Sequence, residues 1–170
     1  MTADAQQRAL VLRAQSGDRD AFDALLRNVA PRLLRYVERV VGERALAEDV
    51  VQETLIAIVR KIAWLSDASL FLAWAFRIAS REAFRVLKKR RISEPVDEIA
   101  FEDAPPDPWQ RERLLESLDR LSPASRAVIT LHYLEEMPLS EVAAVLDLTL
   151  GTVKSRLSYG LARLRKENSP

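Results

Sequence analysis

The chain has no cysteine, one histidine and four glycines in 170 residues. Without thiols, disulfides and cysteine-containing zinc sites are excluded, which suits a reducing cytosol. A lone imidazole cannot build a metal cluster, so His132 is read as a surface or half-buried helix residue. No apolar run approaches the roughly 18 residues needed to span a bilayer, and no signal-peptide apolar region opens the chain. A soluble, cytoplasmic protein with no membrane insertion of its own is expected. No convergent Cys/His, Ser/His or metal-ligand set is present, which argues against an enzyme and against a cofactor.

What is there is hydrophobic residue in quantity, 48%, enough for real cores. The near-neutral formal charge of +1 hides a partition. Residues 1–91 hold 17 Lys/Arg against 11 Asp/Glu, residues 92–108 hold six acids and no base, and residues 109–170 hold nine bases and eight acids. Within the last part, 148–170 has five bases to one acid. Two basic surfaces separated by an acidic tether suit a protein that touches a polyanion twice.

The sustained periodicities are helical, so the fold is expected to be all-α. Short and long helices are predicted over 6–15 and 20–41, the second with Phe22, Leu25, Leu26, Val29, Leu33, Val37 and Val40 on its core face. Pro31 is expected to bend or restart that helix and Gly42 to stop it. A helix over 45–62 should bury Val51, Leu55, Ile58 and Ile62; after a break at 64–69, another should run from Phe71 to about Arg90. The segment ISEPVDEIAFEDAPPDP, with four prolines, reads as a flexible linker. Helices are expected over 109–120, 123–136, 140–147 and 150–167, with Ser122, Ser140 and Thr149 as N-caps. The resulting architecture is two small helical domains, 1–91 and 109–170, joined by a flexible acidic linker at 92–108.

The last helix carries the strongest functional signal. At about 100° per residue, Leu150, Val153, Leu157, Leu161 and Leu164 form a core stripe. Opposite lie Gly151, Thr152, Ser155, Tyr159 and Ala162, flanked by Lys154, Ser158 and Arg165 on one side and Arg156 and Arg163 on the other. Modest side chains between two rows of cations suit a helix in a DNA major groove. The short LSEVAAVLD segment before it completes a helix-turn-helix pattern.

LSEVAAVLDLTLGTVKSRLSYGLARLR resembles the carboxy-terminal helix-turn-helix of bacterial extracytoplasmic-function (ECF) sigma factors, of the sigma-70 superfamily. APRLLRYVERVVGERALAEDVVQETLIAIVRKI and WAFRIASREAFRVLKKRR resemble that family's amino-terminal domain. The resemblance implies a dissociable subunit that binds the clamp helices and flap of core RNA polymerase and directs it to promoter DNA. It also implies control by an anti-sigma factor. It implies no catalytic site. Glu48, Asp49, Gln52 and Glu53 then match the polymerase-binding ridge. Phe71, Trp74, Arg77, Arg81, Lys88 and Arg91 fall where the −10 element is read and melted. Gly151, Thr152, Lys154, Ser155, Arg156, Ser158, Tyr159 and Arg163 fall where the −35 element is read.

Four departures from the family pattern leave base preference unassigned or alter the turn. The loop LSDASL is poor in basic and aromatic residues, Ser80-Arg81 replaces a common Arg-Asn, and Tyr159 replaces a common arginine. Asp147 stands at a turn position usually held by glycine, which aspartate tolerates better than most residues. The rival from another class is a sigma-like module that sequesters a regulator without initiating transcription. Such mimics commonly carry a receiver domain, for which 170 residues leave no room. A dimeric repressor would not need the acidic ridge.

Overall fold

The computed structural model describes residues 3–90 and 117–167. The expected linker, most of the helix expected over 109–120, and Arg91 lie outside the described residues. Among the described residues there are helices and turns and no strand.

Helix α1 spans Ala3–Gln15 and α2 spans Arg19–Val41. Between them Asp18 caps α2: its Oδ1 accepts from the Ala21 N–H at 3.0 Å, and its Oδ2 accepts from Arg13 Nη2 at 2.6 Å. The expected bend or restart at Pro31 does not interrupt α2, which remains one helix. Pro31 and Arg27 are both exposed, so the Arg27 carbonyl that loses its donor can turn to water. Gly42 ends the helix as expected, with φ 77° and its N–H on the Glu38 carbonyl at 2.8 Å.

Helix α3 spans Arg44–Lys61 and α4 spans Phe71–Lys89, separated by 3₁₀ turns at Ile62–Trp64 and Ala68–Leu70. The buried face of α3 includes Leu46, Ala47, Val50, Val51, Thr54 and Ile58. Leu55, expected in the core, is only half-buried, and Thr54 beside it is fully buried. The Thr54 hydroxyl escapes an unpaired state by donating to the Val50 carbonyl at 2.8 Å.

The crossing of α2 and α4 is fixed at Tyr36. Its ring meets Phe76 edge-on, with centroids 5.3 Å apart. The Ser80 hydroxyl donates to the Phe76 carbonyl at 2.7 Å, so its oxygen is left to accept the Tyr36 hydroxyl at 2.6 Å. Burial pushes the ionisation of Tyr36 well above the ordinary phenol range. Ser80, one of the departures noted in the sequence, is therefore a packing residue.

In the second half, a 3₁₀ turn at Leu118–Arg120 precedes α5, Pro123–Ile129, which widens into a π turn at Thr130–Leu134. The Ser122 oxygen accepts from the Ser125 N–H at 3.3 Å, as the Ser-Pro pair predicted. Helix α6 spans Leu139–Leu146 and α7 spans Leu150–Glu167. Ser140 does not cap α6: the cap position is Pro138, and Ser140 lies within the first turn. Thr149 does cap α7, accepting from the Thr152 N–H at 3.2 Å. Leu150, placed in the core stripe by its spacing, is 42% exposed; it precedes the point where α7 meets α5, and Val153, Leu157, Leu161 and Leu164 are buried. At Gly160 the approach is close: a Cβ there would lie 2.7 Å from Ile129 Cδ1.

The two halves are docked on each other. Helix α2 packs against α5 and α4 against α6, and one apolar cluster runs through both. Apolar contacts and the ion pairs of Arg32, Arg77 and Arg81 cross the boundary between the two halves.

Tyr36→Phe should lower unfolding stability by about 1 kcal/mol, since it removes one buried hydrogen bond and keeps the ring. Chemical denaturation with an unchanged m-value would check it.

Candidate nucleic-acid and protein interfaces

Glu48, Asp49, Gln52 and Glu53 are all exposed along one edge of α3. Glu48 is engaged locally, its Oε1 accepting from Arg44 Nε at 2.9 Å, while Arg44 Nη1 also reaches Glu38 at 2.9 Å. Beside this ridge, Leu34, Val51, Leu55, Ile56 and Val59 line a shallow apolar groove together with Glu48 and Gln52. Val59 is 49% exposed. Half-exposed Leu55 thus belongs to the groove. Carboxylates next to an apolar trough can hold an amphipathic helix that carries cations along one side.

The second surface is the α3–α4 connection and the exposed side of α4. Phe71, expected to face nucleic acid, is fully buried and is corrected to a core residue; broad apolar packing at the start of α4 takes its ring. Trp74 is half-buried with its ring 6.1 Å from that of Phe71. Arg81 and Lys88 are exposed and Arg77 is half-buried. Sequence reasoning missed Trp64, which is 79% exposed at the end of the first 3₁₀ turn. Its signal was an aromatic residue set in a break in helical periodicity. Gln15 was missed as well: its amide donates to the carbonyls of Ile62 and Leu65, both at 2.8 Å, and so ties α1 to the loop that carries Trp64. On the other side of the loop Asp67 accepts from the Ser69 N–H at 2.9 Å and hydroxyl at 2.6 Å, which holds its carboxyl below the usual range.

The third surface is α7. Gly151, Lys154, Ser155 and Arg163 are exposed, and Thr152, Arg156, Ser158 and Tyr159 are half-buried. The predicted groove-facing line is therefore open to solvent over its first turns. Asp147, in the turn between α6 and α7, has φ 55° and ψ 43°, the left-handed geometry of a helix-turn-helix corner.

Two of the −10 candidates are brought onto that corner. Arg77 Nη2 donates to Asp147 Oδ1 at 2.6 Å, and Arg81 donates to Oδ2 from Nη2 at 2.6 Å and from Nε at 3.2 Å. The Arg81 hydrogen bond, helped by the Arg77 charge, holds the Asp147 carboxyl below its ordinary value. A second cross-boundary pair joins Arg32 Nη2 and Nε to Glu135 Oε2 at 2.7 and 3.0 Å, with the guanidinium 5.9 Å from the Phe76 ring centroid.

The fold and these surfaces define a two-part, all-helical DNA-binding protein of the helix-turn-helix type. Residues 25–92 match the model for Sigma-70 region 2, and residues 117–166 match that for Sigma-70, region 4. The chain is 32% identical over 150 residues to the RNA polymerase sigma-E factor of Streptomyces coelicolor, covering 86% of this chain and 85% of the relative. It is 29% identical over 161 residues to RNA polymerase sigma factor CarQ of Myxococcus xanthus, covering 91% and 92%. Among solved structures, the sigma factor RpoE of Bartonella quintana, crystallised with the anti-sigma factor NepR, is similar with 26% identity and a TM-score of 0.66, over 85% of this chain and 94% of that one. The chain belongs to the ECF sigma factors of the sigma-70 family. It is a transcription initiation factor and not an enzyme. No helix among the described residues is long and apolar enough to cross a membrane.

The Asp147 pairing has a pH signature. A carboxyl lowered in the docked state contributes stability above its ordinary pKa and loses it as pH falls through the lowered value. Docking at this corner should therefore be flat from about pH 5 to 8 and weaken only below about pH 4. Carboxyl-carbon NMR titration should find Asp147 below the ordinary aspartate value, and Arg81→Ala should return it upward.

Proposed function

We propose that this sigma factor binds core RNA polymerase through the ridge of Glu48, Asp49, Gln52 and Glu53, with the Leu34–Val59 groove taking apolar side chains of the same partner. The observation that carries this reading is the adjacency of exposed carboxylates and an apolar trough on α3. Basic clamp helices of the polymerase are the partner that the family suggests. The flap would take the second domain. The domain division at 1–91, 92–108 and 109–170 is part of the same reading.

The −10 element is read and melted at the second surface. Trp64 and the exposed part of Trp74 stack on unpaired bases, while Arg77, Arg81, Lys88 and Arg91 hold the backbone. The exposed line of α7 enters the −35 major groove, with Gly151, Thr152, Ser155 and Tyr159 toward base edges and Lys154, Arg156, Ser158 and Arg163 on the shoulders toward phosphates. The related sigma factor crystallised with an anti-sigma factor supports a similar inhibitor here, covering the polymerase-binding faces in the cytoplasm.

Asp49→Lys combined with Glu53→Lys should abolish core-polymerase binding and leave thermal unfolding nearly unchanged, because both side chains are exposed. Polymerase pull-down and calorimetry check the two halves; normal affinity would sink the ridge assignment. Promoter-dependent transcription with core polymerase separates initiation from mere sequestration of a regulator.

At α7, Arg163→Ala should weaken binding alike across promoter sequences and change the log–log salt slope by about 0.9. Ser155→Ala should instead change which −35 bases are tolerated, by roughly 1–3 kcal/mol if a base contact is lost. Titrations against a small promoter library at several salt concentrations distinguish the two.

A further inference from the structure

Asp147 is an odd choice for its own turn. It sits at φ 55°, where glycine is free of strain. Nor does its carboxylate stabilise that turn in return: both oxygens leave it for Arg77 and Arg81 on α4, at 2.6 Å each. Those arginines are four residues apart on one edge of the helix, and two guanidinium groups converging on two oxygens is also how a backbone phosphate is held. The same carboxylate lies at the corner leading into α7, where a DNA phosphate would meet its negative charge. Glu135, only 7% exposed in its side chain, repeats the pattern with Arg32 further along the boundary.

We propose that Asp147 is an intramolecular latch that stands in for phosphate, holding Arg77 and Arg81 against the corner before α7 in the free chain and so masking them, and that a nucleic-acid backbone competes for these two arginines to open it. The masking half rests on the reading of these arginines as DNA contacts. Latching itself does not. The three side chains are between 42% and 64% exposed, so salt screens the contact and no single pair locks it. Such a contact is weak enough to yield to DNA, yet it is favoured in the free chain because its partners are tethered.

The absence of cysteine allows a clean test in the full chain. Asp23→Cys and Ala144→Cys, at exposed positions on α2 and α6, take a donor and an acceptor dye. At low ionic strength, energy transfer should fall from wild type to Asp147→Gly and further in Asp147→Arg, and should recover in Asp147→Arg/Arg81→Asp, where the charges are exchanged. Glycine suits the left-handed corner, so the first variant keeps the turn. Equal transfer in all four, or no recovery in the exchanged pair, would overturn the latch.

A fluorescent single-stranded oligonucleotide, without polymerase, should bind Asp147→Gly roughly two- to tenfold more tightly than wild type, the range expected for losing exposed pairs. Opening without tighter binding would overturn the masking. If Arg77→Ala/Arg81→Ala then costs the open variant no affinity, the assignment of the arginines to DNA fails and the latch stands.

Discussion

The crossing of α2 and α4 at Tyr36 is the constraint from which the working surfaces follow. The phenol is buried, its ring is set edge-on to Phe76, and its hydroxyl is held by Ser80 in the observed rotation of α4. That rotation turns Phe76, Ala79 and Ala83 inward and brings Arg77 and Arg81 to the edge. It also sets the Phe76 ring beneath Arg32. The ion pairs that Arg32, Arg77 and Arg81 make with the second half of the molecule therefore originate at residues one or a few positions from this junction.

Much of the local structure was legible in the sequence because its causes are local. Gly42 is a helix stop since a left-handed residue must follow Val41, and Ser122 and Thr149 are caps since their oxygens meet amides three residues on. The helical stripe along α2 needs nothing beyond its own spacing. What escaped depends on contacts far along the chain. Leu55 and Thr54 are neighbours on α3, and periodicity alone put the leucine inside; the packing of α2 decides that the threonine is buried and the leucine faces the groove. Phe71 looks like a base-stacking residue because it adjoins a loop and cations, yet the core claims it. Asp147 was legible as a corner residue, but the direction of its carboxylate is set by α4, nearly seventy residues earlier.

The balance of charge also acquires a spatial meaning. The formal net charge of +1 would be an uninformative number if acids and bases were interspersed evenly. Here Glu135 and Asp147 are placed against Arg32, Arg77 and Arg81, so some of the basic excess of the first domain is neutralised from the second. Long-range attraction of the free chain for any polyanion is reduced accordingly. The acids on α3 remain turned outward and leave a face of opposite sign on the same domain.

Gln15 ties α1 to the loop that carries Trp64, although α1 lies outside the span that matches the family model, which begins at residue 25. One side-chain amide spends both its hydrogens on the carbonyls of Ile62 and Leu65, either side of Trp64. A chimaera assembled by exchanging only the matched span between relatives would import this loop without the brace that holds it. Within such a lineage, α1 and the loop would be under pressure to change together, as a lock and its keeper plate do.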